Sequence, residues 1–270
     1  DWDIVFLHAR WSGFMIAIPS GQRNSRPLPS SKPVADTGTG AAATAPDTSH
    51  HRAIRSFVVR AGRMTGAQER AWRELWPALG IENGEDPLDF AAAFGREAPV
   101  VLEIGFGNGE SLVALASSHP AHNYLGLEVH PPGVGHLLLC CEAAQLHNVR
   151  MICEDAVQVL QRRVPDASLD EVLLYFPDPW PKKRHHKRRI VQPPFVELVT
   201  RKLKPGGVLR MATDWQPYAE HMLATAGSSP VLHNESATGD YVVRPDSRPL
   251  TRFERRGQRL GHGVWDLAFR

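Results

Sequence analysis

The stretch "PVVLEIGFGNGESLVALASSH", Pro99 to His119, joins an apolar run, three alternate glycines and a second apolar-rich segment. Val100 to Ile104 form a run too short for a helix and bounded by glycine, which reads as a buried strand. Gly105, Gly107 and Gly109 let the backbone turn tightly and approach a ligand with no Cβ in the way. "ESLVALASSH" predicts the helix that follows.

Working outward, the alternation continues. "NYLGLEVH" reads as a second strand, "GVGHLLLCCEAAQLH" as its helix, and "VRMICED" as a third strand. "DEVLLYF" makes a fourth strand, and "FVELVTRKL" a helix closed by the turn "KPGG". "VLRMAT" supplies a fifth strand, "WQPYAEHML" a further helix, and the tail ending "VWDLAF" alternates like a final strand. Short apolar runs alternating with amphipathic segments predict an α/β fold with a mostly parallel sheet and helices on both faces.

The rest of the chain limits the function classes. A length of 270 residues suits one ordinary domain with an appendage. The net charge of +2 makes any nucleic-acid argument depend on where the basic residues lie. Cys140, Cys141 and Cys153 are too few for a secreted disulfide framework and lack CxxC spacing, so a reducing cytoplasm is expected. At the amino terminus "IVFLHARWSGFMIAI" is interrupted well short of a membrane span. From Pro19 to about His51 the composition turns to Ser, Pro, Gly, Ala and Thr, so residues 1–52 are expected to form a flexible leader ahead of a catalytic domain over 53–270. The histidines show no metal-ligand spacing, and no metal is expected.

In an open parallel sheet ligands sit beyond the carboxyl ends of the strands, and five of those ends carry an acid. Glu103 precedes G-x-G-x-G, in which the third glycine comes one residue too early for the dinucleotide fingerprint. An acid before that spacing is more typical of S-adenosylmethionine sites, although a tight structural turn needs the same glycines. Glu128 ends the second strand, where a carboxylate can accept both hydroxyls of a ribose or lie solvated. Asp155, after the third strand, suits an exocyclic amine and equally suits the N-cap of a helix beginning near Ala156. Asp178 and Asp214 follow the fourth and fifth strands.

The fourth strand runs into "FPDPWPKKRHHKRRIV", an acid between prolines followed by one of the densest basic runs in the chain. "FPDPWPK" with its basic continuation resembles the tRNA (guanine-N7)-methyltransferase family, a class I S-adenosylmethionine-dependent group. The resemblance extends from "RSFVVRAGRMT" through "LEIGFGNG", "GLEVH", "RHHKRRIVQPPF" and "MATDWQPYAEHML" to "RPLTRFERRGQRLGHGVWDLAF". It departs at Pro181 and Arg252, where other residues are common in the family.

The resemblance implies a Rossmann-like fold with a seven-stranded sheet, and a methyl group transferred to a guanine of tRNA, position 46 in the variable loop. Glu103, Gly105, Gly107, Glu128, Asp155 and Asp178 would hold S-adenosylmethionine, with Asp178 at the active centre. Lys182, Asp214, Thr251, Arg252, Phe253 and Glu254 would hold the substrate nucleotide. Arg184, His185, His186, Lys187, Arg188 and Arg189 would contact the RNA, as a monomer or homodimer with no membrane partner.

Three readings remain open on the residues. Trp180 either stacks on a base or packs in the core. Phe253 stacks on a base and Glu254 accepts from the guanine edge, or Phe253 packs inward and Glu254 pairs with a neighbouring Arg. A nicotinamide-dependent dehydrogenase would use the glycines and Glu128, and a non-catalytic RNA-binding module would use the basic run, but neither uses both.

Overall fold

The computed structural model describes residues 55–58, 62–246, 248–250, 254 and 263–270. The leader expected over residues 1–52 lies outside them. Among the described residues no helix is long and apolar enough to cross a membrane.

Five parallel strands and one antiparallel strand make a single sheet in the order β3-β2-β1-β4-β5-β6. They are β1 (Val100–Ile104), β2 (Asn123–Leu127), β3 (Val149–Ile152), β4 (Leu169–Tyr175), β5 (Leu203–Thr213) and β6 (Trp265–Phe269). β1 lies at the centre, paired with β2 on one side and β4 on the other. The order reverses there, which opens a crevice at the carboxyl ends of β1 and β4.

The side-chain alternation of β1 explains the two layers of helices. Val100, Leu102 and Ile104 face a core completed by α5 (Ala156–Arg162), α6 (Pro193–Lys202), α7 (Gln216–Gly227) and the short α2 (Phe90–Phe94). Val101 faces the opposite core, made by α1 (Gly66–Leu79), α3 (Glu110–Ser118) and α4 (Pro131–Ala143). Leu102 and Leu125 are completely buried, as continuous apolar runs in a sheet covered on both sides require.

The elements read from the sequence fall close to their expected positions, with three differences. α1, like the short α2, was absent from the sequence reading. Thr65 and Gln68 cap it reciprocally, and Arg70 pairs with Glu142 of α4 at 2.7 Å. The "KPGG" turn lies within β5, which pairs at Leu203 with Leu169, skips, and resumes at Val208 opposite Glu171.

The sheet has six strands among the described residues, where seven were expected. Beyond β6 the chain makes only isolated antiparallel bridges, Asn234 to Phe269 and Val242 to Asp266. Between them Asn234 accepts from the Ser236 amide at 2.8 Å and donates to the Asp240 carbonyl at 2.8 Å. These local side-chain bonds compete with a continuous ladder, so no further edge strand forms among the described residues.

Gly105, Gly107 and Gly109 have φ of 71°, 59° and 78°, the left-handed region that glycine enters without strain. The amino end of α4 is close to this turn: a Cβ on Gly133 would stand 2.3 Å from the Gly107 carbonyl oxygen. Gly133→Ala must therefore push α4 and the turn apart. The expected cost is about 1–3 kcal/mol, as for other overpacked sites. It is read as a lower midpoint in urea unfolding with an unchanged slope.

Candidate active site at the carboxyl ends of the strands

Glu103 points to the α1–α3–α4 side of β1 and is 3% exposed, with Oε2 lacking a hydrogen-bond partner among the described residues. Burial pushes its carboxyl up to about 8, with Ser111 opposing the rise and the Glu128 carboxylate adding to it. Glu128 follows Leu127, the register partner of Ile104, so the two acids occupy neighbouring strand ends. The Glu128 carboxylate accepts from three backbone amides: Gly107 at 2.9 Å, Val129 at 2.6 Å and His130 at 3.0 Å. It is buried and satisfied, not a solvated strand-end charge. Asp155 Oδ1 accepts from Val157 N at 2.8 Å and Gln158 N at 3.4 Å, which caps α5.

At the end of β4, Tyr175 pairs with Ala212 and the Phe176 amide donates to the Ala212 carbonyl at 2.8 Å. Phe176 and Trp180 adopt φ of 52° and 45°, a region costly for residues with bulky side chains. Asp178 lies between them, exposed, flanked by Pro177 and Pro179, and has no hydrogen-bond partner among the described residues. Asp214 follows β5, the strand paired with β4, so this second pair of acids also occupies neighbouring strand ends.

The basic run begins a 3-10 helix, Lys183–Arg188. Lys182, Lys183, Arg184 and Lys187 are exposed. His185 packs edge-on against Trp180, with ring centroids 5.8 Å apart. Partial burial lowers its basicity, and the cations of Arg184 and Arg188 lower it further.

Arg188 and Arg189, read with the others as RNA contacts, commit their donors inside the protein. Arg188 donates to the Arg55 and Phe57 carbonyls at 3.1 and 3.2 Å and lies 3.9 Å from the Trp180 ring centroid. Arg189 is 4% exposed, donates to Pro179 O at 3.0 Å and lies 4.8 Å from the Tyr218 ring centroid. For Arg189 this corrects the sequence reading, because a buried guanidinium with internal acceptors is not presented to a phosphate. Trp180 donates from Nε1 to Ser56 O at 3.0 Å, so its indole is packed against the protein.

Glu254 is 1% exposed and bonded through both oxygens to Arg248, at 2.7 and 3.0 Å. The pairing read as its alternative role is thus present. Thr251, Arg252 and Phe253 lie outside the described residues. Arg248 and its second partner Asp266 were missed in the sequence, where a lone Arg and a strand Asp carry no pattern. A cavity of about 400 Å³ lined by Arg96, Ser117, His147 and Asn148 opens at the amino ends of β2 and β3, away from these acids.

Residues 97–267 match a family model described as "Putative methyltransferase". A curated tRNA (guanine-N(7)-)-methyltransferase of Sodalis glossinidius is 61% identical over 218 residues, covering 81% of this chain and 91% of that protein. Its counterpart from Yersinia enterocolitica is 62% identical with the same coverage. The chain belongs to the tRNA (guanine-N7)-methyltransferase family. The family match spans β1 to β5, the start of β6 and the five strand-end acids, and it removes the dehydrogenase alternative. A solved structure, the 16S rRNA methyltransferase KamB, is 17% identical with a TM-score of 0.48, covering 66% of this chain and 91% of that one.

The raised Glu103 carboxyl has a consequence for stability. Between its ordinary value of 4.5 and about 8, the native protein holds a proton that the unfolded chain has lost. Stability conferred by that proton therefore falls as pH rises through this window. Glu103→Gln should flatten the fall, so that variant minus parent stability increases from about pH 5 to about pH 8. Urea unfolding of both proteins at the two pH values checks it, and a constant difference would show Glu103 to be ionised throughout.

Proposed function

We propose that this chain methylates N7 of a guanine in tRNA, with guanine 46 of the variable loop as its target. Identity of 61–62% over 81% of the chain to curated enzymes named for guanine N7 of tRNA carries the N7 reading, while position 46 rests on the motif resemblance alone. The exposed Asp178 at the strand end, followed directly by outward-facing cations, supports it.

The cofactor is S-adenosylmethionine, and the residues fit it. Glu103 keeps an unpartnered buried carboxylate oxygen, and a Cβ built at Gly105 or Gly107 meets nothing within 4 Å, which leaves open space over the turn. Glu103, Gly105, Gly107, Glu128 and Asp155 would hold the donor, with Glu128 accepting from ribose hydroxyls alongside its backbone amides. Bound there, the cofactor supplies an electrophilic methyl group on a sulfonium.

Guanine N7 presents a lone pair and no proton, so the protein need not supply a strong base. Its main task is to hold N7 in line with the methyl group. Asp178 accepts from the Watson–Crick-edge donors of the base and favours the positive charge that develops on the ring. Pro177 and Pro179 fix φ on both sides of it. Lys182, Asp214 and the tail residues Thr251 to Glu254 hold the nucleotide. Lys183, Arg184 and Lys187, all exposed, meet backbone phosphates without reading sequence.

Asp178→Asn keeps shape and removes charge. Single-turnover methylation of an unmodified tRNA transcript at saturating donor should slow by about 100-fold or more, as when one preorganised electrostatic group is lost. A rate within a few-fold of the parent would make the acid structural. Locating the product nucleotide in the same assay tests position 46.

Neutralising Lys183, Arg184 and Lys187 together should weaken tRNA binding and reduce its log–log salt slope by about 2, since fewer counterions are released. Donor affinity should not change. Arg189→Ala should instead lower the melting temperature, because it removes a buried bracket between Pro179 and Tyr218.

A further inference from the structure

Behind the β4 turn lies Arg248, a cation to which the chemistry above gives no role. Arg248 is 1% exposed and heads the fully buried side chains by volume. Besides its two bonds to Glu254, it donates from Nε and Nη2 to Asp266 Oδ1 and Oδ2 at 2.6 and 2.9 Å. The same guanidinium carbon lies 5.8 Å from the Tyr175 ring centroid and 5.6 Å from that of Phe176. One planar cation thus gathers the end of β4, the β6 residue Asp266 and the tail residue Glu254.

Stability alone is a weak reason for such a group. Well-packed apolar residues of equal volume often serve a buried ion cluster's place as well or better. The partners are specific instead. Phe176 is the positive-φ residue that starts the turn to Asp178, and Glu254 closes the tail tetrad. A guanidinium reaches two carboxylates in bidentate fashion, whereas a lysine ammonium offers one point charge and aligns neither.

We propose that Arg248 is a positioning residue for methyl transfer, fixing Glu254 and Asp266 against the Tyr175–Phe176 strand end from which the turn to Asp178 starts. This rests on the tRNA-methylation reading above. Arg248 itself does not touch the guanine and acts through the two elements it joins.

The test is Arg248→Lys in the full chain, with tRNA and donor affinities measured separately and single-turnover methylation measured at saturation of both. The rate should fall by about 30-fold or more while each Kd changes less than about threefold, the signature of an interaction that matters in the transition state. Glu254→Gln should behave alike. The double variant should be no slower than the slower single, because groups acting as one unit are not additive.

A rate within about threefold of the parent, a loss recovered by more tRNA, or a double variant equal to the product of the singles would each overturn the proposal. Should Arg248→Lys fail to fold, Asp266→Asn, which has the same shape as the parent, is judged by the same rate and Kd criteria. The unaltered protein is assayed first. Its failure to methylate tRNA at guanine N7 would overturn the function proposed above, a result distinct from any of these.

Discussion

The bond from the Gly107 amide to the Glu128 carboxylate ties the turn after β1 to the end of β2, and much of the site follows from it. Because Glu128 also accepts from Val129 and His130, its position is set by backbone and not by a flexible partner. A turn held this way needs three positive-φ residues, and glycines supply them. The turn in turn fixes where α3 starts and how near α4 can come. The constraint has an electrostatic cost, since Glu103 is buried next to the Glu128 charge without a cation of its own. The pocket is therefore less stable empty than its packing alone would give, and a ligand donor at Glu103 would relieve that.

Most of the sheet was legible because parallel strands buried on both faces read as unbroken apolar runs ending at acids. "PVVLEIGFG", "NYLGLEVH" and "DEVLLYF" all became strands in the expected order. What escaped was structure made by contacts distant in sequence. α1 buries only Ala71, Trp76 and Leu79, so its apolar stripe is thin, although the reciprocal Thr65–Gln68 cap was readable as a helix start. Arg248 and Asp266 are eighteen residues apart, and nothing local marks them as partners. A seventh strand is not among the described residues, where polar turns around Asn234 take backbone groups that a ladder would use.

The basic run shows why composition gives charge but not direction. A 3-10 helix has three residues per turn, so residues three apart share an edge. His185 and Arg188 share one and both pack on Trp180. His186 and Arg189 continue another, with Arg189 Nη2 3.3 Å from the His186 ring nitrogen. Arg184 and Lys187 share the third and are exposed. An α-helix of the same sequence would mix these sets. The short helix sorts the run instead, sending its last arginines inward to fasten the loop and leaving a narrow cationic edge in solvent.

Asp178 has no partner among the described residues to hold its carboxylate, so its placement depends on the backbone at either side. Both flanking residues with positive φ are strained, each by about 1–3 kcal/mol on general grounds. Such strain persists only where surrounding contacts offset it. Phe176 is held by the Ala212 carbonyl and lies beside Arg248. Trp180 is held by Ser56 O and covered by Arg188, which itself reaches Arg55 and Phe57. Segments from both ends of the described chain therefore converge on five residues around one acid. An exposed carboxylate free of side-chain partners can then be both fixed in place and open to a base, which a carboxylate locked by its own salt bridge could not be.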